Sequence, residues 1–243
     1  YQAIADESKE TKDKLREARE NYIRKSIWKG DWELKVGEVK LALKTFLKLI
    51  EFSPETIEAH RGYAQAAAAL GKIPEVFQFY KSRLANDRNS APDHYALGLA
   101  YTYLNPPALD DAEKEIGRAI LKNSQNVYFH QTLGWVFEQK EMLNHESDYL
   151  EKSLQEYQMA LALNDDASNP DNHANLLLNL GNGNYLLKNF QTAHHYYKER
   201  EKTKIDFDNA SREAVYRQRF GETAFKSGYP EDAVRHFQKA LKI

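Results

Sequence analysis

Eight histidines are the residues in this 243-residue chain best suited to metal ligation or proton transfer near neutral pH. There are no cysteines, so a metal site would have to be built from His, Asp and Glu alone. His194 and His195 are adjacent and point roughly 100° apart on a helix, which prevents easy joint chelation. Glu141 and His145 share a helix face at i,i+4, but two ligands fall short of a closed site. No HExxH, zinc-knuckle or facial-triad spacing occurs. The histidines are therefore expected as surface or partly packed imidazoles, with no metal and no cofactor. Residues 181–186, GNGNYL, look like a glycine loop but lack the preceding strand and the third glycine of GxGxxG. There is no GxxxxGK[ST] loop and no marked nucleophile elbow. The expectation is a chain that is not an enzyme.

Charge excludes other partners. Lys+Arg number 34 against 36 Asp+Glu, a net charge of −2, which gives no global attraction to nucleic acid or anionic membrane. The locally basic stretch YYKEREKTKI (196–205) is interrupted by Glu199 and Glu201 and reads as a solvated helix end. No apolar run approaches the ~20 residues that span a bilayer, so neither nucleic acid nor direct membrane insertion is expected. A first residue of Tyr1 instead of Met is expected of a processed or excised chain. A lost upstream signal or anchor, and a cytoplasmic or periplasmic setting, are all compatible with that start.

The elements that would position any site are helices. Apolar residues recur with helical periodicity over three to four turns, and no convincing strand alternation appears. The helices also repeat. YALGLAYTYL (from Tyr95), QTLGWVFEQK (Gln131), LNLGNGNYLL (Leu178) and QRFGETAFKS (Gln218) each place a bulky apolar residue before Gly. Small residues recur at Gly30, Ala64, Gly98, Gly134, Gly181 and Gly221. A second small series falls at Ala42, Val76, Ala112, Ser153, Ala193 and Ala233. Four residues after each of these comes a large side chain: Phe46, Tyr80, Ile116, Tyr157, Tyr197 and Phe237. Physically this describes stacked helical hairpins, with small residues allowing close approach and the large one filling the groove between neighbours.

The pattern resembles the tetratricopeptide repeat, through GEVKLALKTFLKLIEFSP (37–54), GYPEDAVRHFQKALKI (228–243) and, more loosely, KNFQTAHHYYKERE (188–201). The resemblance implies an all-α, right-handed superhelical solenoid of antiparallel helix pairs. Its units are expected at 23–56, 57–90, 91–126, 127–167, 174–207 and 208–243, after a charged helix or cap at 1–22. Successive first-series residues lie 34, 34, 36, 47 and 40 apart, so several units carry insertions. The third unit gains two residues and the fourth seven, with further extra residues between units at 164–173 and 204–211. Lys29 stands where the first unit should be apolar. Asn105, Pro106 and Pro107 mark the bend of the third hairpin, with its second helix starting at Leu109.

In the resembled family the first helices line a concave surface that binds peptides or helices. On this chain the inward positions are Glu58, Arg61 and Gln65; Tyr95, Leu99, Thr102 and Tyr103; Tyr128, Gln131 and Trp135. Later units add Asn175, Leu178, Asn182 and Tyr185, then Gln218, Glu222 and Phe225. From these we take Arg61, Gln65, Tyr95, Leu99, Tyr103, Tyr128, Gln131, Trp135, Leu178, Asn182 and Tyr185 as candidate partner-binding residues. Aromatic rings bring contact area at little entropic cost, and amides can pair with a peptide backbone. The competing reading packs about half of the rings between repeats. Trp135 and Tyr103 are expected to be the most exposed. The family's carboxylate clamp of Lys, Asn and Arg is supplied in no register. The functional expectation is a protein-interaction scaffold for a peptide or helix. Its alternative is structural assembly or self-association through the terminal repeats, prompted by the apolar face of DAVRHFQKALKI (232–243).

Overall fold

The structure is a computed structural model that describes residues 2–144, 147–165 and 169–243. The described residues form helices and connecting turns, without strands. They divide into two compact units, Tyr1–Lys122 and Asn123–Ile243. Unit 1 holds α1 (Gln2–Lys35), α2 (Val39–Phe52), α3 (Ile57–Ala69), α4 (Ile73–Asn86), α5 (Ala91–Thr102) and α6 (Leu109–Lys122). Unit 2 holds α7 (Val127–Asn144), α8 (Ser147–Leu163), α9 (Pro170–Leu186), α10 (Phe190–Lys202), α11 (Ala210–Lys226) and α12 (Pro230–Ala240).

Consecutive helices pair as hairpins, and the small residues decide how closely they pair. A Cβ built on Gly98 would stand 2.6 Å from Ile116, on Gly134 2.8 Å from Tyr157, and on Gly181 2.5 Å from Tyr197. Each glycine therefore meets the large residue expected for its own unit. Phe46 shows the second half of the rule: its ring lies against Gly30 of α1 and Gly62 of α3, filling the space between two hairpins. The second series is buried throughout, from Ala42 to Ala233. Phe237 packs on Gly221 yet remains 39% exposed.

Turns repeat as well. The hairpin bends carry a left-handed residue at Gly37, Gly71, Lys188 and Gly228. The residue after each donates its amide back to the last helical turn, at 2.8–2.9 Å: Glu38 to Glu33, Lys72 to Ala67, Asn189 to Asn184 and Tyr229 to Ala224. This is the 6→1 bond of a Schellman cap. Lys188 adopts φ +60° where its counterparts use glycine. The third hairpin bends instead through Asn105, Pro106 and Pro107, with a cis Asn105–Pro106 bond, and α6 begins at Leu109 as expected.

The charged 1–22 segment is helical, and α1 runs unbroken from Gln2 to Lys35, through the position expected for the first helix of the first repeat. Helix-forming side chains continue across the expected boundary, and no Pro or Gly stops it before Gly30. The fourth repeat's extra residues go into its helices: α7 and α8 span 18 and 17 residues, against 13 in α3. The segment 204–209 forms an ordered link, with the Phe207 ring 5.0 Å from Tyr216.

Candidate functional site

The first helices of unit 2 bring Asn175, Asn182, Tyr185 and Glu222, picked out by repeat position, together with Asn179, Arg212, Val215 and Arg219, which were not. On α9, Asn175, Asn179, Asn182 and Tyr185 follow helical spacing along one face. On α11, Arg212, Val215, Arg219 and Glu222 do the same. The two faces are tied at both ends. Arg212 donates to Asn175 Oδ1 at 3.5 Å, and the Tyr185 hydroxyl donates to Glu222 at 2.7 Å. The Arg219 guanidinium lies 5.5 Å from the Tyr185 ring centre.

Between those ties a cleft of about 280 Å³ opens. Its floor is Leu178 and Tyr216, both buried; Asn179 and Asn182 form one wall, and Ser211, Arg212 and Val215 the other. Val215 is 48% exposed, an apolar lip with no covering side chain. Asn182 Oδ1 accepts the Tyr197 hydroxyl at 2.9 Å, which fixes the amide and leaves its Nδ2 as the remaining donor. Among the described residues, the Asn179 side chain has no hydrogen bond. An amide carries both donor and acceptor, the complement of a peptide group.

Helix α7 contributes Gln131, Trp135 and Glu138 at helical spacing, with Gln131 and Trp135 half-buried. Glu138 accepts the Tyr157 hydroxyl at 2.9 Å. Burial pushes its carboxyl above the usual range, opposed by that bond and by Arg219. In unit 1 the corresponding face holds Arg61, half-buried, Gln65, exposed, and Tyr103, 38% exposed. Burial raises the Asp31 carboxyl beside them, and Arg61 works against the rise.

Four of the residues expected on the binding face lie in the core. Tyr95 is 0% exposed, Leu178 5%, Tyr128 7% and Leu99 8%. These side chains fill the spaces between helices, because a bulky apolar group gains more from burial than from a solvent-facing position. Tyr103 is exposed as expected, whereas Trp135 is half-buried.

The histidine reading also needs correction. His60 and His236 are 0% exposed, and His94, His130 and His194 are buried. Glu141–His145 cannot be followed, since His145 lies outside the described residues. Three histidines repeat a role. In each, Nε2 donates to the carbonyl six residues back: His60 to Pro54 at 2.7 Å, His94 to Arg88 at 3.1 Å, and His130 to Ser124 at 3.0 Å. In each, Nδ1 meets the second helix of the same hairpin: Tyr80 at 3.0 Å, Glu115 at 2.7 Å and Glu156 at 2.6 Å. They pin the hairpin to the turn before it. The legible signal was their spacing, since each stands four residues before Ala64, Gly98 or Gly134. Their protonation differs. Burial lowers His60 to about 4, while the hydrogen bond to Glu156 raises His130. Burial also lowers His194 and, to about 4, His236, whose ring stacks 3.8 Å from Phe220. Gly183 of the GNGNYL stretch is a packing residue, its added Cβ 2.6 Å from Leu154. Among the described residues, no three His, Asp or Glu side chains converge as a metal site, and no helix is long and apolar enough to cross a membrane.

Two solved proteins described as tetratricopeptide-repeat proteins share this architecture. YrrB, described as having an unusual peptide-binding site, matches at TM-score 0.57 and 19% identity, over 81% of this chain and 91% of its own. TTC0263 from Thermus thermophilus matches at TM-score 0.56 and 17% identity, over 84% and 99%. The fold is that of the tetratricopeptide repeat. Pseudomonas aeruginosa PilF shares it at TM-score 0.63 and 16% identity, over 93% of both chains. No family model and no curated protein matches the sequence of this repeat chain.

Proposed function

We propose that the chain is a non-catalytic protein-interaction scaffold that holds a peptide or helix on the first-helix face of unit 2. The observation that carries this reading is the α9–α11 cleft. The Asn182 amide is held by the Tyr197 hydroxyl, the floor is apolar, and Val215 stands half-exposed at its lip. Preformed sites with a few placed polar groups suit ligand binding, because little ordering remains to be done. The peptide-binding site in the description of YrrB supports the same class of ligand. Gln131 and Trp135 are proposed as further contacts on the first-helix face of unit 2, and Arg61, Gln65 and Tyr103 as contacts on that of unit 1, taken by itself.

The test is capture of a partner from native lysate by the full chain, compared with an Asn179→Ala/Val215→Glu variant. Both positions are partly or well exposed, so helicity should persist. A partner lost from the variant supports the cleft; a partner retained at equal affinity by the folded variant overturns it.

One observation favours a second reading, assembly through α11 and α12. Phe225 is 63% exposed, Val234 55% and Tyr229 45%, an apolar surface on one hairpin. Such a patch marks interaction sites. Mass that rises with concentration, and stays constant in Phe225→Ser/Val234→Ser, would support assembly.

A further inference from the structure

A second cleft, of about 620 Å³, opens in unit 1, where α4 and α6 both pack on α5 and their C-terminal halves form its two sides. We propose that this trough docks an acidic amphipathic helix of a partner protein. It is made by unit 1 alone, and the proposal does not rest on the α9–α11 cleft of unit 2.

The floor is apolar. Leu84 is half-buried and Leu97 buried, while Leu121 sits at the lip with 85% of its surface exposed. The volume falls in the range of about 300–1,000 Å³ typical of occupied pockets. The rim is basic: Lys81, Arg88, Arg118 and Lys122 all line the trough. Its one lining carboxylate, Glu115, is already engaged by His94 at 2.7 Å and Arg118 at 2.5 Å. Asp87, next to Arg88, turns its carboxylate onto the Asn89 amide at 2.9 Å. Among the described residues, no carboxylate lies within ion-pair distance of Lys81, Arg88 or Lys122.

Complementing the helix dipole accounts for only one of these cations. Lys122 is in the last turn of α6, whereas Lys81 and Arg118 precede the last turns of their helices and Arg88 lies beyond the end of α4. A concentrated positive rim on a chain of net charge −2 is a local field that selects acidic partners. The apolar floor asks for leucine-like side chains on the same ligand. A helix meets both demands, with apolar residues on one face and carboxylates flanking them. An anionic lipid fits less well, because an acyl chain against Leu121 would remain largely in water.

The experiment pans a displayed library of random helical peptides on the full-length Val215→Glu variant, which removes the other cleft. Enriched peptides are then synthesised and titrated against Leu121→Asp and Arg88→Glu/Lys122→Glu versions, with circular dichroism confirming the fold. Expected are peptides with Asp or Glu flanking Leu, Ile or Phe, binding that weakens with salt, and about tenfold loss on charge reversal. Enriched peptides that are neutral or basic, or that bind both variants unchanged, overturn the proposal. Oleate that binds through Leu121 and Arg88 when no acidic peptide is enriched would assign the trough to an anionic lipid and equally overturn it.

Discussion

Replacing glycine by alanine inside a helix should have opposite effects at two places in unit 1. In each case alanine gains about 1 kcal/mol of helix propensity. At Gly117, in the middle of α6, the new methyl group meets nothing within 4 Å, so Gly117→Ala should stabilise by about that amount. At Gly30 the methyl would stand 2.5 Å from Phe46 Cζ. That ring is fully buried and has Gly62 on its other side, so it cannot retreat. Overpacking of this kind costs about 1–3 kcal/mol, enough to outweigh the propensity gain. Gly30→Ala should therefore destabilise by up to about 2 kcal/mol. A third variant isolates the cause. In a Phe46→Ala background the clash disappears, and Gly30→Ala should become stabilising although the background itself is weaker. Urea unfolding followed by far-UV circular dichroism, with the slope m unchanged, reads all three. The same sign for Gly30→Ala and Gly117→Ala, or no reversal in the Phe46→Ala background, would refute the interlocking account.

Further outcomes follow from the turns and the buried imidazoles. Lys188 holds φ +60° in a bend where the matching residues are glycines, so Lys188→Gly should raise the unfolding free energy by up to about 1 kcal/mol, read as a higher urea midpoint, and Lys188→Val should lower both. His60 is lowered to about 4, so below the ordinary value of 6.5 the unfolded chain takes a proton that the folded one refuses. Stability should fall from pH 6.5 towards 4, and His60→Gln should flatten that slope in unfolding measured across pH. His130 behaves oppositely: its raised value means stability is fully present below 6.5 and is lost as pH rises through the folded value. His130→Gln should flatten the curve above pH 6.5 and leave the acid limb unchanged.

The hairpins were legible in the chain because their spacing rule is geometric. A small residue and a large one must meet wherever two helices approach closely, and Gly134 with Tyr157 does so despite seven inserted residues. The prolines at 106 and 107 were legible for the same reason, since they bar helix from the residues before them and are tolerated just ahead of the next helix. The binding face was legible only as a set of helix positions. Repeat position does not distinguish Tyr95, which fills the core, from Tyr103, which closes α5 and reaches solvent. That difference depends on tertiary neighbours. Helix α1 was legible as a charged helix, but not that it continues without a break to Lys35, because charge marks a solvated face and does not terminate a helix. The buried histidines were misread because imidazole composition was considered before repeat register. The two clefts escaped notice since each is made by residues from helices distant in sequence.

The central claim is that the α9–α11 cleft receives a peptide, and amide chemical-shift mapping tests it most directly. A peptide from the captured partner should be titrated into isotope-labelled full-length protein. The account predicts perturbations centred on Asn179, Asn182, Arg212 and Val215, abolished in Asn179→Ala/Val215→Glu. Perturbations confined to other helices, with those four residues unmoved at saturation, would contradict it.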